Sequence, residues 1–404
     1  MLLMKTDEVS IEAFNILRQV VFYLSRYKTL NYKDRIMSII HSASHFKSAR
    51  DAAKPLHRVE EVRAAAEDFR KTMLANPKVK FYKTFELIRI PYPTKYGYLN
   101  AYALPTPYMH ICNKLFVIQF DSEEGIKTLL VSPSDWENQR DTPYFYHMLE
   151  DMGVLSKPVE KMIVRASDTV LSAIAKLGLA PEDVDYITYD HLHTQNLTRW
   201  LGGNGQAAIF PNAKLLVMRE EWESTQALLP WQNQWYCPGG IDGIDDSRIE
   251  ILDGDVFLGD GSVALMHTKG HTEGNHSIVA HTDQGLLVTS ENGVSMDAYA
   301  PQHSNIKGLA KYAELTDAEV VMNGNTLEYG IDQYLSMIQE KTVAGPYPKD
   351  ERFFNMALSS ESAGYYLFPG TAPTVRMGEL EFGTFTPKTT KAKKGGGLWR
   401  KLIS

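Results

Sequence analysis

Tyr189-Asp190-His191-Leu192-His193-Thr194-Gln195-Asn196 follows the apolar run that starts at Val184, and the reading of this stretch decides the fold. Val184 to Tyr189 has the β-branched and aromatic character of a strand, so the two histidines fall just past a strand end. Side chains of an extended chain alternate with period two, which lets His191 and His193 point the same way. Neutral imidazole is the commonest metal-ligating side chain, so the pair is a plausible half-site. A surface His-x-His with no ligand is the alternative reading of these eight residues alone.

A second segment strengthens the metal reading. Met266-His267-Thr268-Lys269-Gly270-His271-Thr272-Glu273-Gly274-Asn275-His276 again follows a strand-like run, and its two glycines permit a tight loop that turns His271 towards a shared centre. A third segment, Leu286-Leu287-Val288-Thr289-Ser290-Glu291-Asn292-Gly293, is another strand that ends on a carboxylate. Three histidines and one carboxylate, each at a strand end, form a credible ligand set.

The order of these motifs resembles the metallo-β-lactamase superfamily, over roughly residues 79 to 345. Phe210-Pro211-Asn212-Ala213-Lys214, ahead of a strand and Glu221-Trp222, is similar to that family as well. The resemblance implies an α/β fold, a four-layer αβ/βα sandwich with metal at one edge of two facing sheets. His191 and His193 match the first two histidines of the family's His-x-His-x-Asp-His motif, and His271 matches the histidine of Gly-His-Thr. Glu291 falls where the family has a bridging aspartate. Gln195 stands in place of the motif's aspartate, Asn196 in place of its histidine, and Asn325 lies near the position of the last histidine. Amides are poor zinc ligands beside thiolate, imidazole and carboxylate, so one tightly bound divalent ion is expected instead of two.

Zinc is the leading ion. Three imidazoles leave an open position for a water whose pKa falls to about 7, which suits attack on a carbonyl or ester. Glu291 is then the candidate ligand or general base, or an acceptor for a histidine N–H. Asp190 is a catalytic candidate as the carboxylate that orients His191, or else an exposed turn residue. Iron is the alternative, because His191, His271 and Glu291 can be read as a facial triad with His193 beside it. The expected activity is hydrolysis of an ester, lactone, amide or related bond of a small-molecule substrate. An iron dioxygenase and a degenerate binding protein are the other readings. His267 and His276 are expected to pack or hydrogen-bond, and His303 to approach the metal edge only as a minor alternative. Trp222, Trp231, Trp235 and Tyr236 either line an apolar pocket or pack a loop.

Composition bounds these readings. The chain has 404 residues, 44% hydrophobic and 23% charged, as in globular proteins with a sizeable core. Its net charge of -7 argues against a general nucleic-acid surface, which needs clustered Lys and Arg. Cys112 and Cys237 are far apart and in no metal or redox spacing, which fits a reducing compartment. The start of the chain lacks an apolar core of about 7–15 residues, and no apolar run approaches ~18 residues. A cytoplasmic protein without a membrane span is therefore expected.

Three regions are read along the chain: a helical N-terminal extension at 1–78, the metal-binding domain at 79–387, and a basic flexible tail at 388–404. The extension carries a stripe of Ile11, Phe14, Leu17, Val21 and Leu24 and a second helix from Val59 to Leu74. It is read as a packing cap or a dimerisation surface for a homo-oligomer, with a substrate lid as the minority reading. Strands are also expected over Phe81–Ile90, Tyr96–Leu104, Lys214–Met218, Leu286–Thr289 and Glu319–Met322.

Overall fold

Leu129-Leu130-Val131 and Leu215-Leu216-Val217-Met218 show no polar face, and each is buried on both sides. Leu129, Val131, Leu216 and Met218 enter one apolar core while Leu130, Leu215 and Val217 enter a second. Period-two alternation through an unbroken apolar run is what a strand between two layers requires. The computed structural model describes residues 39–150, 156–324 and 330–388. The stripe from Ile11 to Leu24, Asn325 and the tail from 389 onward lie outside the described residues.

The strands in chain order are β1 (Ile40–Ser42), β2 (Phe81–Pro93), β3 (Tyr108–Phe120), β4 (Lys127–Val131), β5 (Arg165–Ala166), β6 (Tyr186–Thr188), β7 (Lys214–Met218) and β8 (Ile249–Leu252). They continue as β9 (Val256–Leu258), β10 (Val263–His267), β11 (His276–Thr282), β12 (Gly285–Thr289), β13 (Pro346–Tyr347), β14 (Asp350–Phe354), β15 (Ser360–Ala363) and β16 (Glu381–Gly383). One sheet runs β1-β9-β10-β11-β12, and a larger one runs β16-β2-β3-β4-β6-β7-β8 with β15 and β5 alongside β3 and β2. In the larger sheet β4, β6, β7 and β8 are parallel neighbours. Parallel pairing demands crossovers, and helices Val170–Lys176 and Arg219–Gln226 lie on two of them. On the smaller sheet, helices Pro55–Ala75 and Gly330–Ala344 pack against each other and against β12. The result is an α/β sandwich of two sheets with helices outside, the class of architecture expected from the sequence.

Three expectations are revised. The segment before residue 79 is not helical alone, since β1 pairs antiparallel with β9. Helix Pro55–Ala75 is also part of the core, burying Val62, Ala66, Phe69 and Met73 as one stripe at three- and four-residue spacing. The strand expected over Tyr96–Leu104 is one helical turn, Thr94–Gly97, followed by a turn through Asn100 at φ 56°. Its aromatic residues serve packing, with Tyr98 fully buried and its ring 6.4 Å from that of Tyr102. Glu319–Met322 is not a strand, because Val321 bonds to the Ala298 carbonyl (2.7 Å) in a loop and finds no ladder partner.

Candidate metal centre

The site lies where strands of both sheets end. β6 stops at Thr188, and the chain turns at once into Asp190, His191 and His193. β10 stops at His267, four residues before His271, and β12 stops at Thr289, two residues before Glu291. The His276 N–H, at the start of β11, donates to the Asp190 carbonyl (2.9 Å), which joins the two sheets at this edge.

There the three imidazoles meet. Ring centroids are 4.8 Å apart for His191–His193, 4.5 Å for His191–His271 and 5.1 Å for His193–His271, all edge to face. One ligand nitrogen from each lies within 4.8 Å of the others. Asp190, His191 and Glu291 form an adjoining set within the same limit. Glu291 thus shares a set with Asp190 and His191 rather than with His193 and His271.

Hydrogen bonds hold the His191 ring and the loop that carries His271. Asp190 is 3% exposed, not a surface turn residue. Its Oδ1 accepts from the His191 backbone N–H and from His191 Nδ1, both at 3.0 Å, and its Oδ2 accepts from the Ser359 hydroxyl at 2.5 Å. That bond fixes the His191 tautomer and leaves Nε2 for the centre. The His271 N–H donates to Asn292 Oδ1 (2.9 Å), and Asn292 Nδ2 donates to the Thr268 carbonyl (2.9 Å) and to Glu340 Oε1 (2.7 Å). The loop carrying His271 is packed so closely that a Cβ on Gly270 would lie 2.3 Å from Gln333 Cα. Glycine is required there by contact with helix Gly330–Ala344.

Electrostatics show how badly the cluster tolerates charge without a counter-ion. Burial alone would lower all three histidines. At His191 the Asp190 carboxylate overrules it and raises the pKa to about 9. His193 and His271 are pushed far below the usual imidazole range, first by burial and then by the charge on His191. Glu291 is pushed up to about 7 by burial, against the opposing pull of His191. Three buried imidazoles with the carboxylates of Asp190 and Glu291 beside them make a setting that favours a positive charge. The buried Nδ1 of His193 has no hydrogen-bond partner among the described residues. An orphaned ring nitrogen of this kind, on a residue of the three-histidine set, fits a metal cation.

Gln195 and Asn196 do not join the cluster. Gln195 Oε1 accepts from the Ser134 hydroxyl (2.6 Å), and Asn196 Oδ1 accepts from the Thr198 hydroxyl (2.6 Å) at the start of helix Thr198–Leu201. His276 Nε2 bonds Thr188 Oγ1 (3.0 Å) and His267 Nε2 lies 3.5 Å from the Glu273 carbonyl. His303 packs edge-on to Phe353, apart from the centre.

A partly open cleft lies above the metal set, with Asp190, His191, His193 and Glu291 in its lining. Its walls are Ile90, Tyr92, Ile111, Tyr144, Phe145 and Trp235, interspersed with Asn113 and serine hydroxyls. No Lys or Arg lines it among the described residues. Of the four aromatic residues singled out in the sequence, Trp235 lines the cavity and stacks on Tyr144 (4.7 Å), and Tyr236 lies edge-on to His193 (4.8 Å). Trp231 is half exposed and Trp222 only partly buried. Sequence reasoning missed Glu221, Asn292, Ser359 and Ser360. Asn292 adjoins a candidate ligand, and Glu221 stood in a family-like stretch without an assigned role. The serines come from β15 and its approach, far past the motifs, and carry no sequence signal.

Parts of the chain are similar to known proteins. The chain is 31% identical over 117 residues to an N-acyl homoserine lactonase of a Bacillus species, covering 29% of this chain and 41% of that one. It is 27% identical over 182 residues to the N-acyl homoserine lactonase AttM of Azorhizobium caulinodans, covering 39% of this chain and 65% of the relative. The matched stretches thus span less than two thirds of these relatives. Among solved structures, a probable metal-dependent hydrolase of Staphylococcus aureus aligns with TM-score 0.46 and 14% identity, covering 65% of this chain and 84% of that one. The dizinc quorum-quenching lactonase AidC aligns with TM-score 0.43 and 11% identity, covering 77% of this chain and 97% of that one. No family model matches the chain. In its motif order and in these partial sequence matches to lactonases, the chain resembles the metallo-β-lactamase superfamily.

Proposed function

We propose that this chain is a metal-dependent hydrolase of a neutral small molecule, with the ester bond of a lactone as its leading substrate. The observation that carries the proposal is the convergence of His191, His193 and His271, with ligand nitrogens within 4.8 Å, beside a partly open cleft. These three residues would hold one divalent ion, zinc first. When bound, such an ion supplies Lewis-acid polarisation of a carbonyl and acidifies a coordinated water. Gln195 and Asn196 are engaged in protein hydrogen bonds, which supports one ion and not two.

The rest of the chemistry falls to the chain. Asp190 orients His191 through its Nδ1, and the Ser359 hydroxyl holds Asp190 in turn. Glu291 takes a proton from water or returns one to the leaving alcohol, and a carboxyl pushed up to about 7 is suited to both directions near neutrality. The aromatic and aliphatic walls exclude water and take an apolar substituent. With two carboxylates and no Lys or Arg in its lining among the described residues, the cavity disfavours substrates bearing a carboxylate or phosphate. The lactonases to which the chain is similar support a lactone over an amide.

Metal analysis of the purified chain, followed by assay on lactone and carboxylate-bearing substrates, tests the reading. About one zinc per chain and turnover of the neutral lactones are expected. Iron with oxygen consumption would move the chain to the dioxygenase class, and absence of any metal would reduce it to a binding protein. A cytoplasmic site of action is part of the same proposal; no helix among the described residues is long and apolar enough to cross a membrane.

A further inference from the structure

The two histidine loops are joined by a third residue that touches no imidazole. Glu221 lies in the first turn of helix Arg219–Gln226 and is 0% exposed. Its Oε1 accepts from the N–H of Leu192, the residue between His191 and His193 (2.7 Å). Its Oε2 accepts from the Thr272 hydroxyl (2.6 Å) and the Gly274 N–H (3.3 Å), one and three residues past His271. Gly274 is pressed so closely to the helix that a Cβ there would lie 2.0 Å from the Glu221 nitrogen. A buried carboxylate is costly unless its oxygens are satisfied, and here the satisfying donors come from both ligand loops at once. A carboxylate, unlike an amide, offers acceptor oxygens on both sides.

We propose that Glu221 is a positioning residue that clamps the His-x-His loop to the His271 loop and so presets the spacing of the three ligand nitrogens before an ion arrives. The inference rests on the metal reading above. Preset spacing raises affinity because the ion does not have to organise the loops on binding, and outer partners of metal ligands are worth about 10- to 100-fold in affinity. Glu221→Gln keeps the volume but presents an N–H₂ where one of the donors now points. Thr272→Val removes one donor and leaves the carboxylate.

The test is zinc titration of the metal-stripped full-length chain against a competing chelator, with the melting temperature measured with and without zinc. For Glu221→Gln, zinc affinity should fall by about tenfold or more and the zinc-induced rise in melting temperature should shrink. Thr272→Val should show a smaller loss in the same direction, with Thr272→Ser close to wild type. If Glu221→Gln lowers the melting temperature of the metal-free chain yet binds zinc as tightly as wild type, the clamp is merely structural and the inference falls. If Glu221→Gln does not fold, the Thr272 pair decides: equal zinc affinity in the Val and Ser variants overturns the proposal. A wild-type chain that takes up no zinc ends the metal reading itself, which separates the two failures.

Discussion

The imidazole side of the site and the amide side lie within one turn of chain yet have opposite fates. His191 and His193 project towards His271, with ring centroids at 4.8 and 5.1 Å from His193 to its two neighbours. Gln195 and Asn196, two and three residues on, turn to Ser134 and Thr198. The backbone divides them: Thr194 sits at φ 63°, a left-handed conformation uncommon for a non-glycine residue, and its N–H donates to the Trp235 carbonyl at 2.7 Å. A side chain that finds a hydrogen-bond partner in the protein has no need of an ion, whereas the buried Nδ1 of His193 has no such partner among the described residues. The contrast teaches that a ligand position converts to structure when its polar atoms are satisfied elsewhere.

The comparison breaks most sharply at His271, the member contributed by the other sheet. His271→Ala should abolish metal uptake, from about one ion per chain to none, as measured by elemental analysis of chain purified in zinc. Unchanged metal content would remove the assigned centre. The next effect sharpens the amide side. Gln195→Asp combined with Asn196→His should raise the zinc content above one per chain, because it supplies carboxylate and imidazole in place of two amides. The cost is two hydrogen bonds, about 1 kcal/mol each, so the variant should still fold. A content that stays at one would mean that the loop geometry at Thr194, and not ligand type, closes the second site.

The smallest effect concerns histidines that are buried as structure and not as ligands. His276 and His110 are both held at about 4, each chiefly by burial. Their folded-state pKa lies below the unfolded value, so their neutral forms stabilise the fold above pH 6.5. As pH falls from there towards 4, the unfolded chain takes up protons that the folded chain refuses, and stability is lost. A drop from 6.5 to about 4 at His276 corresponds to roughly 3 kcal/mol. Denaturant unfolding of the metal-free chain at pH 7 and pH 5 measures it. Replacing His110 with Phe should reduce the pH dependence, and an unaltered profile would show that this ring does not drive it.

Much of the fold was legible because it depends on local alternation. Lys214–Met218 is a strand at the residues expected, and Leu286–Thr289 differs by a single residue at its start. Tyr96–Leu104 and Glu319–Met322 misled, since their apolar and aromatic residues pack into the core without a ladder to join. Pairing depends on what lies alongside, and no local pattern records that.

By itself the sequence determined which residues can act as ligands: His-x-His past one strand, Gly-His-Thr past another, a glutamate past a third, and amides where a second site would need stronger donors. Residue type and period-two geometry are local properties, readable one segment at a time. Tertiary structure alone decided that Asp190 is buried against His191, that Ser359 reaches it from β15's approach, and that Glu221 ties two distant loops. The Glu221 and Ser359 contacts join residues 29 and 169 positions apart, and distances of that kind are set only when the two sheets close on each other and exclude water from the polar groups trapped between them.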